Sequence, residues 1–430
     1  MSTPRSDAAL LYRRAGFGGK ASQLDAAVAK GFEATVDQLL GGFSEPDRAA
    51  VSPPALGTYA QLLRGHGGNS WNQYVELIGW WLDKMAATTT PLREKLTLLL
   101  HGQFPTGFSK VGVPVFMYNQ NHLFRTLGPG SYEQLTLAVA KDPAMLIWLD
   151  ADTDVNSSPN ENFARELMER FTMGVGTYSQ RDVRESARAF TGWSYNAVGE
   201  FVLNEWAHDF GNKNFMGFHG DLNGSDIVSI VTRTPASARW VSARMWSWLA
   251  YPVDVSDPVV GELAAGYSRD LNMTNLLRSI FLHPNFRSEQ SVSGLVKQPV
   301  EWVAGIMRGL GLRTKSFKKL GGAGYLQWVL SNLGQIPFDP PTVGGWGSNL
   351  YWLSTASAVA QLDFAQSVAQ IADLTPIEEA SGPDRLETIG NMLGVDAWSN
   401  TSIAALNRVR DESAQELLGL ALTAPEVLAN

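Results

Sequence analysis

Apolar residues recur at i, i+3 and i+4 spacing through most of this 430-residue chain, and that spacing constrains the fold more than any other feature. The segments Ser22–Leu40, Asn72–Met85, Pro91–His101, Tyr132–Ala140, Pro235–Ala250, Thr274–Leu282, Lys297–Leu310 and Ser354–Ala372 all carry it, and Ile403–Leu428 is helical in character. No apolar run approaches the ~18 residues of a membrane span, so none is expected. One strand pair interrupts the pattern: Trp193–Val198 and Phe201–Trp206 flank Gly199 and Glu200, a hairpin turn. The Gly/Asn/Asp-rich stretch His208–Asp226 reads as a long ordered loop, and the Pro/Gly-rich stretch Gln335–Asn349 as a second one that presents Trp346. The expected architecture is mainly α: a large single-unit helical fold with a small β-hairpin insertion at about 193–226. Pro, Ser and Gly break the period over Leu374–Asp384. Residues 1–373 therefore read as the helical core, and 374–430 as C-terminal helices packed on the same unit.

Composition narrows the function. With 34 basic against 42 acidic side chains and a net charge of -8, the chain lacks the basic footprint of a nucleic-acid binder. It has no cysteine, which removes disulfides, thiolate zinc sites, iron–sulfur clusters and cysteine nucleophiles together. The start, Met1 to Asp7, shows no apolar signal region, so the sequence as it stands reads as cytoplasmic, with export expected only if a signal has been removed. No nucleotide cofactor is expected. Gly16-Phe-Gly-Gly-Lys20 lacks the first glycine and the hydroxyl of a phosphate loop, and Gly309-Leu-Gly311 has no third glycine in register. A nucleophile-elbow serine motif is also missing.

The densest chemistry lies in residues 161–190, which hold ten charges in thirty residues against 18% for the chain. Ser158, Pro159 and Glu161 read as the cap, first position and capping box of a helix that stops at Gly174. Phe163, Ala164, Leu167, Met168 and Phe171 form its apolar stripe. Opposite run Glu161–Arg165–Glu169 and Asn162–Glu166–Arg170 at i, i+4 spacing. Ser179 and Asp182 start a second helix through Phe190 by the same device. Two readings are open. The charges form a solvated ladder, or Glu166 and Glu169 are acid/base or nucleophilic carboxylates on a site wall. Neighbouring arginines favour the ionised carboxylate, which suits a base or nucleophile better than a general acid. Asn160 and Glu161, at the helix start, are placed to hold a ligand hydroxyl or amine.

The run from Pro159 to Tyr178, continuing from Asp182 to Trp193, resembles the signature of a bacterial family catalogued as domain of unknown function 1800. Arg13-Arg-Ala-Gly-Phe-Gly18, His208-Asp209 with Lys213 and Gly217, Val296-Lys-Gln-Pro-Val-Glu301, and Pro340-Pro341 with Gly345-Trp346 extend the resemblance over nearly the whole chain. It implies one family-length unit and supplies no activity. Members often carry export signals and resemble products encoded beside a sulfatase-like partner family, which hints at envelope or extracellular work. Two departures stand out. Where the family shows Trp-His-x-His-Phe, this chain has Leu100-His-Gly-Gln-Phe104, and a common His-Leu-Leu is here Leu10-Leu-Tyr12. Both remove imidazoles, which puts a histidine metal site in doubt; whether a metal is bound is left open.

Only six histidines occur, and no His-Glu-x-x-His pattern. His101 ends an apolar helix and reads as a core or capping residue. His208-Asp209 and His219-Gly-Asp221 lie in the polar loop, where a metal or substrate role competes with internal hydrogen bonding. Asp221 to Asp226 fails as a calcium loop, having Asp226 at position six and Thr232 at position twelve. Of fourteen tryptophans, the pairs Trp80/Trp81 and Trp246/Trp248 read as helix packing. Trp193, Trp206 and Trp346 sit in polar or Gly-rich surroundings, where flat faces suit carbohydrate or aromatic ligands or anchor the loops.

The leading expectation is a hydrolase-type enzyme on a polar, glycan-like substrate. Glu166 or Glu169 is its reactive carboxylate, and His208 with Asp209 supplies the opposing group. Arg165 and Lys213 orient charge, and Trp193 and Trp346 stack on the ligand. The alternative is a non-catalytic protein that docks a partner, such as the sulfatase-like one, through the charged helix pair. A third reading is metal-dependent redox chemistry.

Overall fold

A computed structural model describes residues 3–429; Met1, Ser2 and Asn430 lie outside it. The chain is mainly helical, with two separate two-stranded antiparallel sheets. Two large apolar clusters fill it. One gathers the first helix, Pro4–Arg14, with residues from the middle of the chain up to Phe286. The other joins the helix Ser70–Ala87 to Pro299–Gly309, Thr355–Ile371 and Ala414–Leu422, so the C-terminal helices share a core with Phe17 and Trp81. The helix Pro91–Gln103 runs between the two and gives Leu92, Leu96, Leu99 and Leu100 to the first and Leu98 to the second. A helix buried on every side has no outward face for its polar residues. Glu94, Lys95, His101 and Gln103 are accordingly all buried and must find partners inside. Among the described residues no helix is long and apolar enough to cross a membrane.

Several helices match the periodic segments closely: Tyr132–Ala140 does so at both ends, and Gln180–Phe190 starts on the Ser179–Asp182 capping box. Others are shorter than their pattern. Ser22–Leu40 breaks into Ala21–Lys30 and Phe32–Gly41 at Gly31, whose φ of 92° no helix contains, and Ile403–Leu428 resolves into three pieces.

The charged helix begins later than the Ser158 cap predicts. Ser158 forms an isolated bridge with Val155, and Asn160 is the cap, its side chain accepting from Asn162 N at 2.9 Å. The buried carboxylate of Asp154 explains the shift: it accepts from Asn160 N at 2.7 Å and holds that residue extended. The helix Glu161–Glu166 then widens into a π-helix over Leu167–Thr172. Thr172 donates its hydroxyl to Leu167 O at 2.6 Å, and Met173 N bonds Met168 O, both five residues back.

The hairpin is also shorter than its pattern. β1 (Trp193–Tyr195) pairs with β2 (Phe201–Leu203), because Asn196 accepts from Val198 N and Glu200 N and turns the chain before the strands extend. The stretch expected to be loop contains a second hairpin, β3 (Lys213–Phe215) with β4 (Phe218–Gly220). Its turn residues, Met216 and Gly217, both have positive φ, as a two-residue hairpin turn of this hand demands.

Candidate functional site

The π-helix sets out the first group of expected residues. Arg165 Nη2 bonds Glu161 at 3.0 Å and Gln180 Oε1 at 3.0 Å, and Gln180 returns a bond to Glu161 at 2.7 Å. These three bind one another across the two charged helices at the surface. Glu169 accepts from the Tyr178 hydroxyl at 3.0 Å and lies 3.7 Å from Arg170. Glu166 differs from both. Its side chain is only 12% exposed, its Oε2 is buried without a hydrogen bond, and Arg170 Nε stands 3.8 Å away. Burial pushes its carboxyl above the usual range, and Arg170 offsets only part of that.

Behind this wall the carbonyls that end the π-helix become the centre of a network. Buried Gln103 donates to Arg170 O at 3.2 Å, Phe171 O at 3.0 Å and the Tyr132 hydroxyl oxygen at 3.1 Å. Tyr132 donates to Phe171 O at 2.6 Å, and Trp240 Nε1 to Arg170 O at 2.9 Å. With its amide nitrogen committed, Gln103 turns its oxygen to Arg244 Nε at 3.2 Å. The residue that stands where the resembled family has a histidine thus ties three helices to the π-helix.

Arg244 opens onto a cleft of about 400 Å³ between the helix Pro235–Leu249 and the segments around Val296 and Asn349. Trp240 and Trp248, one turn before and after Arg244, line it with Gln298, Glu301, Ser348 and Asn349. The guanidinium lies 4.4 Å from the Trp248 ring and 5.9 Å from that of Trp240. A narrow recess of about 50 Å³ continues past Arg244, Trp248 and Gln298 to Trp346, which packs edge-on against His101 at 5.1 Å. His101 is fully enclosed, accepts from Phe338 N at 3.0 Å, and is held far below its usual pKa, at about 3. It anchors the loop that carries Trp346.

A larger cavity, about 630 Å³, lies between the first helix and the C-terminal segment, lined among others by Arg13, Asp396 and Glu426. Two of its three acids are engaged, Asp396 with Arg5 and Glu426 with Ser399 and Ser402, and no aromatic side chain lines it. The smaller cleft is the better candidate because it joins aromatic faces to amides, hydroxyls and a fixed guanidinium.

The polar-loop candidates form a separate group. His208 Nδ1 donates to Thr191 O at 2.7 Å, and the ring is buried against Phe210. Asp209 takes both Nε and Nη2 of Arg188, at 2.7 and 3.3 Å, and this pair holds its carboxyl below the usual range. Buried Lys213 donates to Gly211 O and to the Asp209 carbonyl and lies 3.3 Å from Asp221. No hydrogen bond or ion pair links His208, Asp209 or Lys213 to Glu166, Glu169 or Arg165 among the described residues. Asn160 is spent on its cap and on Asp150 O. Trp193 is buried between Phe190 and Phe201, with Lys141 over its ring, so a stacking role for its face is corrected to core packing. No group of three or more His, Asp or Glu that could hold a metal occurs among the described residues.

Arg244, Trp240, Trp248, Gln103 and Gln298 were not among the expected site residues. One signal in the sequence points to the first three: Trp240-x-x-x-Arg244-x-x-x-Trp248 puts two aromatics and a cation on one helical stripe. A family model described as a protein of unknown function (DUF1800) matches residues 10–429. No curated protein and no solved structure matches the chain.

Proposed function

The chain belongs to the DUF1800 family, and since that membership carries no activity we propose its function from the site: a hydrolase-type enzyme that holds a polar, glycan-like substrate in the tryptophan-lined cleft. The observation that carries this reading is the lining of the cleft. Trp240, Trp248 and, through the recess, Trp346 offer flat apolar surface, while Gln298, Ser348 and Asn349 offer donors and acceptors at their edges. Sugar rings present the same alternation of C–H faces and hydroxyl rims.

Glu166 is the reactive carboxyl in this reading: it does not line the cleft but stands on the helix whose Arg170 carbonyl bonds Trp240 of the cleft wall. A desolvated carboxyl whose buried oxygen accepts no hydrogen bond can keep a proton that a solvated one would lose, which is what a general acid requires. Glu169, tied to Tyr178, is its companion carboxylate, and Arg170 bridges the two. The pH dependence has a definite sign. A carboxyl raised in the folded state adds stability at low pH and loses it as pH rises through the folded pKa. Glu166→Gln should therefore leave the unfolding midpoint unchanged or raise it at neutral pH, with the difference vanishing in acid. Glu169→Gln should cost about 1 kcal/mol through its Tyr178 bond. Unfolding measured at two salt concentrations, together with release of reducing ends from a glycan panel, checks both. A salt-insensitive loss of several kcal/mol in Glu166→Gln would make the carboxyl a structural ion and end this assignment.

The docking alternative has its own observation. Trp206 is 95% exposed and Phe210 is exposed with it on the segment that joins the two hairpins, while Phe218 is exposed on the second hairpin, which packs against the charged helix Gln180–Phe190. Exposed aromatics beside charge suit a protein partner. Redox chemistry on a bound metal draws no support from the donor set described above.

A further inference from the structure

Arg244 carries a positive charge that no neighbouring carboxylate balances. It is half-buried, another arginine, Arg170, acts on it with like charge, and burial holds its pKa down, to about 10, so it stays charged at neutral pH. Of the acids on the cleft, Glu301 is committed to buried Lys95, and Asp254 is exposed at the mouth. The guanidinium is also fixed in orientation. Nε is held by Gln103, whose own amide is locked by three bonds, and the Trp248 ring lies against it at 4.4 Å. Nη1 and Nη2 have no protein acceptor among the described residues. They form the free edge of a planar fork that faces the cleft.

We infer that this fork reads a carboxylate on the substrate, so that the ligand is an acidic oligosaccharide of the uronate type rather than a neutral one. A planar pair of N–H donors matches the two oxygens of a carboxylate in a bidentate pair, which a lysine cannot reproduce. A single cation lining the cleft, with Asp254 exposed beside it, favours a singly charged group over a dianionic phosphate. Tryptophan on either side of the guanidinium places ring-stacking surface next to the charge, as a uronate presents its carboxylate at the edge of its ring. The inference rests on the cleft being the substrate site proposed above.

The test titrates the full chain with galacturonate, glucuronate and mannuronate oligosaccharides, each against its neutral counterpart, with inorganic sulfate as a bare anion. Binding is read by calorimetry and by the shift in unfolding midpoint. The acidic oligosaccharide should bind roughly 10- to 100-fold more tightly than its neutral counterpart, the worth of a charge-assisted pair. Arg244→Gln should abolish that preference, and Arg244→Lys should keep little of it. The midpoint of each variant without ligand shows that it is folded. Equal binding of acidic and neutral oligosaccharides, both weakened by Trp248→Ala, would overturn the carboxylate and leave the cleft standing. Tighter binding of sulfate than of any uronate would also overturn it, in favour of a sulfate ester. Binding of none, or binding indifferent to both Arg244→Gln and Trp248→Ala, would overturn the cleft itself.

Discussion

Glu301→Gln is expected to destabilise the protein by about 3–5 kcal/mol, the cost of leaving a buried partner charge uncompensated. Glu301 and Lys95 form an ion pair with almost no solvent contact on either side. Lys95 also stands 3.4 Å from Arg13 O and lies over the Phe17 ring. Arg14, fully buried, has its pKa drawn down to about 9, and Lys297, whose Nζ bonds Val427 O at 2.7 Å, to about 7, burial being the main cause in both. Glu301 is thus the shared counter-charge of a cationic group drawn from the helix Pro91–Gln103 and two distant motifs, Arg13–Gly18 and Val296–Glu301. Glutamine keeps the shape of the side chain and removes only the charge. The lysines then have to stay charged without an anion or give up protons.

That choice fixes the pH dependence. A base whose folded pKa is depressed loses stability as pH falls from its unfolded value, near 10.4, through the folded one. Without Glu301 the depression deepens, so the gap between wild type and Glu301→Gln should widen from pH 9 to pH 6. The double variant Glu301→Leu/Lys95→Met should recover most of the loss, because exchanging a buried pair for apolar groups is often neutral or better. Chemical denaturation at the two pH values measures all three. A Glu301→Gln variant within about 1 kcal/mol of wild type at pH 6 would mean that the cluster is hydrated or already neutral.

How much of this molecule its sequence discloses depends on how local each cause is. The helix Gln180–Phe190 is legible because its start rests on Ser179 and Asp182, three residues apart. The π-helix is not. Its carbonyls at 170 and 171 are held by Gln103, Tyr132 and Trp240, residues from three other helices, and no window around Leu167 contains them. The cap at Asn160 moved for a similar reason, since a buried Asp154 outcompetes the serine that local preference selects. The second hairpin escaped notice because Met216-Gly217 lacks the usual Asn-Gly or Asp-Gly signal.

The candidate site is legible in the same partial way. Trp346 lines the recess next to the cleft, and Glu166 is the one member of the charged ladder that is desolvated. Arg244 stayed hidden for a physical reason. A helix rich in tryptophan reads as core, and only packing shows that one stripe of it meets Gln103, 141 positions earlier, and leaves its cation facing a cleft. His208, Asp209 and Lys213 stand out in the sequence as clustered polar residues; the fold bonds His208 to Thr191 and Asp209 to Arg188, which pins the loop to the end of the helix Gln180–Phe190, and Lys213 bonds within the loop.

Asp142→Asn should stabilise the protein at pH 8 by about 2–4 kcal/mol, by about 1 kcal/mol near pH 4.5, and leave it unchanged below about pH 3.5. Asp142 caps the helix Pro143–Trp148, accepting from Ala144 N at 3.1 Å and Met145 N at 3.3 Å, and it takes a third bond from Gln120 Nε2 at 2.9 Å. Three such bonds would ordinarily hold a carboxyl low. Burial outweighs them and pushes it up to about 7. The unfolded chain releases this proton near pH 3.9, so the folded state binds more protons between there and 7, and stability falls as pH rises across that window. Three pH units at about 1.4 kcal/mol each give about 4 kcal/mol as the ceiling. Asparagine keeps the cap, since its carbonyl accepts the same backbone bonds and it ranks with aspartate at this position. Only the charge is lost, and with it the slope. Asp154 is pushed to about 7 by the same burial, so Asp142→Asn should flatten the stability–pH curve only in part and Asp154→Asn should take up the remainder. The measurement is the unfolding free energy of wild type and both variants from pH 4.5 to 8. Parallel curves for wild type and Asp142→Asn would show that the three hydrogen bonds, and not burial, govern this carboxyl.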